Sequence, residues 1–91
     1  MPIVNFKTAT GRDAYLHMRI GPVAEFPDTR GTSNTVVKVG LPIDVSIGSG
    51  DDIWYCFGNQ LVVNSEDPEL CNAKGGDQVV LSADKPCYVD N

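Results

Sequence analysis

The chain predicts an all-β fold: a compact antiparallel β-sandwich of about seven or eight short strands, with a small barrel as the alternative. Three features carry that expectation. Apolar and polar side chains alternate over Asp13 to Ile20 and over Ile43 to Ile47, which is the period of a half-buried strand. Glycine, proline, asparagine and aspartate punctuate the chain roughly every 8–12 residues, as the turns between short strands require. Helical signals are confined to one short stretch near residues 67–73. With 91 residues, 42% hydrophobic and 21% charged, the chain fits a single β domain over 1–91, too small for a second core. The sandwich is preferred because a chain this short, carrying extended loops, closes a barrel less easily.

Taken in order, Pro2 to Lys7 puts Ile3 on one face and Val4 and Phe6 on the other. It reads as a short edge strand or, over 1–8, an N-terminal arm, since Pro2 cannot donate to a ladder. After the turn residues Thr8 to Arg12, the segment Asp13 to Ile20 sets Ala14, Leu16, Met18 and Ile20 against Tyr15, His17 and Arg19. The run 21–35, with two prolines and Phe26 as its one large apolar side chain, is a long loop, and such loops in small domains commonly carry function. Val36 to Val39 is the next strand, stopped by Gly40 and Pro42.

Leu41 to Ser65 predicts a three-stranded meander. Ile43 to Ile47 would turn at Gly48-Ser49-Gly50-Asp51 into Ile53 to Phe57, which leads through Gly58-Asn59 into Gln60 to Asn64. Asp67 as cap, Pro68 at the first position and Gly75 at the end predict one helical turn. Gln78 to Ser82 and Cys87 to Val89 complete the strands.

Composition narrows the function. Twelve acidic and seven singly scattered basic residues give a net charge of −5, the wrong balance for a nucleic-acid binder. The longest apolar run is about five residues, too short for a membrane span, and the N-terminus has no signal-peptide pattern, so synthesis in a cytoplasm is expected. Three cysteines, Cys56, Cys71 and Cys87, are then expected as buried inert thiols without a bridge.

Candidate chemistry is thin, and neither a catalytic set nor a cofactor is expected. His17 sits on a polar strand face with no local thiol–imidazole signature. A zinc set of the three cysteines and His17 lacks the close ligand pairs that structural zinc sites use. Asp51-Asp52 and Glu66, Asp67 and Glu69 offer oxygen ligands to calcium but lack EF-hand spacing, so turn and helix-end roles are expected of them. Gly48-Ser49-Gly50 is not a nucleophile elbow, and no phosphate-binding glycine loop occurs.

The run Ile53-Trp54-Tyr55-Cys56-Phe57 departs from alternation because both of its faces are apolar, which implies cover on both sides. With Ile53, Tyr55 and Phe57 inward, Trp54 and Cys56 face outward. Either the 21–35 loop folds over them or another molecule does. Two function classes follow: a structural assembly protein that docks through this second face, or a small carbohydrate-binding module in which Trp54, with Tyr15 or Tyr55, stacks on a sugar.

The phrase Val45-Ser46-Ile47-Gly48-Ser49-Gly50-Asp51-Asp52-Ile53-Trp54-Tyr55, in a short acidic all-β chain, resembles small bacteriophage virion proteins, including capsid decoration and other head or tail accessory proteins. The resemblance implies a non-enzymatic oligomer, often a trimer, made in the host cytoplasm and bound to a capsid or tail protein of the virion. Trp54, Phe26, Cys56, Ile3, Val4 and Phe6 are the contact candidates.

Overall fold

Strand periodicity is realised as eight strands in two sheets in the computed structural model, which describes residues 2–27, 35–62 and 68–90. They are β1 (Ile3–Thr8), β2 (Ala14–Gly21), β3 (Thr35–Val37), β4 (Ile43–Ser46), β5 (Asp52–Gly58), β6 (Cys71–Lys74), β7 (Gln78–Leu81) and β8 (Tyr88–Val89). Sheet A has the order β4-β1-β7, with β1 antiparallel to β4 and parallel to β7. Sheet B has the order β3-β2-β5-β6, and β8 also pairs with β5, in parallel. The result is the all-β, sandwich-like architecture that the alternation predicts.

The core lies between the sheets. Val4 and Phe6 of β1 stand beside Val45 and Ile43 of β4 and Val79 of β7. From sheet B come Leu16, Ile53, Tyr55, Phe57 and Ala73. Phe6 meets Tyr55 edge to face, with ring centroids 5.5 Å apart, a favoured aromatic geometry that ties one sheet to the other. Phe57 packs on Tyr88 at 5.2 Å.

Four expectations about local arrangement are corrected. The segment 1–8 is neither an arm nor an edge, because β1 is the central strand of sheet A. Its inward Val4 and Phe6 are fully enclosed, and burying such a face is what draws a strand to the middle of a sheet. The Ile47-to-Ile53 hairpin does not form: β4 belongs to sheet A and β5 to sheet B, so the Gly48–Asp51 turn is an arch between layers. Asp51 N–H donates to the Gly48 carbonyl at 3.1 Å, and Gly50 takes φ +85°, a conformation glycine adopts without a Cβ penalty. A hairpin and an arch share one sequence pattern, since both place alternating apolar residues against the same core.

The third meander strand is also absent over its described part. Gln60 to Val62 form a bend, and residues 63–64 lie outside the described residues. The predicted helical turn at 67–73 is not helix: Pro68 to Leu70 lack regular structure and Cys71 opens β6. Its capping residue Asp67 lies outside the described residues. Tyr55 pairs with Cys71 in β6, and a strand slot beside a buried tyrosine outweighs the weak preference of a single helical turn.

Candidate functional site

Three places in the fold offer candidate chemistry or contact: the outer face of sheet B, the cysteines, and the open flank between the sheets. On the outer face, His17 lies opposite Cys56 and Arg19 opposite Trp54. Both His17 and Cys56 are almost entirely buried, so the chain's own segments cover this part of the face. The cover over Trp54 is partial. Its indole N–H donates to the Gly21 carbonyl at 3.2 Å and the ring is half-buried. Beyond Gly21 the chain turns back on β2: Glu25 reaches Arg19 at 2.5 Å, and Pro27 is buried. Phe26, held between those two fixed points, is 53% exposed. Residues 28–34 of the predicted loop lie outside the described residues.

The contact candidates therefore separate. Val4, Phe6 and Cys56 have no exposed surface, and their place among the contact residues is corrected: the first two fill the core, and Cys56 lies under its own chain. Ile3 is 45% exposed, on the outer face of sheet A opposite Ser46. Phe26 and Trp54 remain on the sheet B side. Tyr55, one of the two tyrosines considered for sugar stacking, is enclosed, whereas Tyr15 is half-buried.

The cysteine expectation is corrected too. Cys71 and Cys87 form a disulfide, with Cα atoms 5.7 Å apart. Cys71 pairs opposite Tyr55, and the Cys87 carbonyl accepts from Phe57 N–H at 3.1 Å. β6 and β8 thus occupy successive halves of one edge of β5, running in opposite directions from its middle, and the bridge joins their starts. Cys56 is unbridged and fully buried in β5, which closes its thiol to reagents outside the fold. Burial pushes the Cys56 thiol up to about 11, so the thiol beside His17 stays protonated and is a poor nucleophile. The bridge also removes two of the four residues of the zinc set. Among the described residues no group of three or more His, Cys, Asp or Glu is placed to hold a metal ion. Asp52 instead accepts from the Asn72 side chain at 3.2 Å.

The third place is a cleft of about 530 Å³ on the flank where β7 of sheet A faces β6 of sheet B. It is lined among others by Tyr55, Asn72, Asp77, Gln78, Asp84 and Lys85. Burial, and then the Asp77 carboxylate, push the Tyr55 hydroxyl up to about 12. The parallel ladder uses Asp77 and Leu81 as acceptors from Asn5 and Ala9, at 3.0 and 2.9 Å. By the two-residue period, the N–H and C=O groups of Gln78 and Val80 point away from β1. Sequence reasoning missed this edge. The available signal was Gln78-Val79-Val80-Leu81 itself, a strand without the charge, proline or glycine that usually blunts an edge.

Comparison with known families, with curated proteins and with solved structures finds no match to this chain.

Proposed function

We propose that this chain is a non-enzymatic structural protein of a viral particle, an oligomer of the capsid decoration or other virion accessory type that docks on a protein lattice. Phe26 carries the reading. An aromatic ring held more than half in water by the Arg19–Glu25 ion pair on one side and a buried proline on the other is a pre-positioned anchor, and such anchors dominate protein interfaces. The residue before Phe26, Glu25, is paired with Arg19, the register partner of the half-covered Trp54. The disulfide supports the same reading, because bridges persist on virion surfaces and outside cells but not in reducing cytoplasm. In this scheme the chain is made in the host cytoplasm and the bridge closes as the particle leaves it. The carbohydrate reading keeps Trp54 and Tyr15 as its platform, and no observation favours it further.

Sedimentation of the purified chain tests self-association: an oligomer at micromolar concentration is expected, and Phe26→Ser should release folded subunits. A monomer whose sedimentation Phe26→Ser leaves unchanged would refute assembly through this surface. Immunogold labelling of particles released by a culture carrying the gene tests the virion, with unlabelled particles as the refuting result.

A further inference from the structure

The geometry points to the free edge of β7 as a second contact: it takes up an extended segment of another protein, bearing a basic side chain, as a fourth strand of sheet A. This inference rests on the docking reading above and supplies it with a mode of attachment. The backbone groups of Gln78 and Val80 that face away from β1 engage no hydrogen bond among the described residues. That leaves two donors and two acceptors in strand geometry, which is what strand addition uses. The other edge of sheet A is protected, since β4 presents Asp44, an edge charge of the kind that discourages pairing. β7 itself carries no charged residue: Asp77 and Asp84 lie beyond its ends on the cleft side, and Lys7 of β1 stands beside Val80 on the opposite, outer face of the sheet.

Space and charge select the occupant. The cleft of about 530 Å³ runs beside this edge, so an added strand meets room for side chains. Asp77 and Asp84 line it against Lys85 alone, and the whole chain carries −5. A second copy pairing β7 to β7 would set two bodies of −5 against each other, with Asp77 and Asp84 of both copies on the shared cleft side. A segment with alternating apolar and lysine or arginine side chains meets the carboxylates with opposite charge, while its backbone completes the ladder.

The test uses the full chain, isotopically labelled for amide NMR, and a capped peptide of alternating valine and lysine as the probe. Amide shifts should centre on residues 77–82, with binding that weakens as salt rises. Methylating alternate backbone nitrogens of the probe, so that one edge loses its donors, should cost about tenfold or more in affinity, since each methyl removes a ladder hydrogen bond. Val80→Pro should do the same while leaving the β1 ladder intact, because the N–H it removes is the one facing outward. A valine–glutamate probe should bind more weakly than the lysine probe. No binding, shifts centred elsewhere, or affinity indifferent to N-methylation would overturn the inference. Because the readout is peptide uptake by the isolated chain, it fails or succeeds independently of Phe26→Ser in sedimentation.

Discussion

The two sheets treat their edges in opposite ways. The outer edge of β5 in sheet B is filled by two short strands, β6 and β8, whose starts are joined by the Cys71–Cys87 bridge. Facing it across the cleft, β7 in sheet A is left with outward backbone groups and no blunting residue. Two segments of four and two residues contribute too few ladder bonds to hold an edge alone, so a covalent tie does it. A strand that stays open in the same small domain is therefore conspicuous. The difference teaches that the chain closes the edge its own core depends on and leaves available the edge its core does not need.

Cutting the tie should give the largest effect. Residues 71 and 87 close a ring of sequence separation 16, and ring closure of that length stabilises by about 3 kcal/mol through the unfolded state. Replacing both cysteines with serine should lower the urea midpoint accordingly, and amide exchange should accelerate in β6 and β8 more than in the β1–β4 ladder. Equal acceleration throughout would mean that the two edges do not differ in the way proposed. Refolding and reoxidation of the wild-type chain should return the 71–87 bridge alone, since the fold brings Cys71 and Cys87 together and encloses Cys56.

The alternation in Asp13 to Ile20 and in Ile43 to Ile47 was legible because one face of each strand meets the core, and β2 and β4 appear where the pattern puts them. Partnership was not legible. Glycine at 48 and 50 marks a reversal, but the same residues serve a hairpin or an arch, and only the competition between two sheets for β4 decides. Likewise Val4 and Phe6 look like the apolar face of any short strand, and centrality in sheet A depends on Val45 and Val79 arriving on either side from distant parts of the chain. The bridge could not be read either, because the approach of Cys71 to Cys87 is created by β5, which collects both segments on one edge. The exposure of Phe26 agrees with the absence of any periodic pattern around it that offers burial.

Raising the pH probes the floor of the cleft, where Tyr55 lies between the stapled and the open edge. Its hydroxyl is raised from 10.0 to about 12 in the fold, so the folded chain holds the proton more tightly than the unfolded one. The corresponding stability is fully present below pH 10 and is lost as pH rises toward 12, by about 2–3 kcal/mol. Cys56, raised from 9.0 to about 11, opens the same decline earlier, between pH 9 and 11. Denaturation midpoints should therefore be flat near neutrality with respect to these two groups and fall above pH 9. Tyr55→Phe should flatten the upper part of the fall and Cys56→Ala the lower part. An unchanged alkaline profile in Tyr55→Phe would show that the hydroxyl is solvated and the cleft reaches deeper between the edges than its lining indicates.

The smallest expected effect separates Trp54 from Phe26. The indole donates to Gly21 at 3.2 Å, tying the outer face of β5 to the point where β2 ends. Trp54→Phe keeps an aromatic ring and removes that donor, which should cost about 1 kcal/mol in stability, the usual net contribution of one hydrogen bond. Because the Gly21 carbonyl sits at the rim and water can replace the lost donor, the cost should not exceed this by much. Under the docking proposal, association should respond in the opposite order: Phe26→Ser should weaken it strongly, and Trp54→Phe hardly at all, since Trp54 is half spent on its own chain. If Trp54→Phe dissociates subunits while leaving the urea midpoint unchanged, the indole is the anchor and Phe26 its neighbour, and the docking surface moves from the pinned segment onto β5 itself.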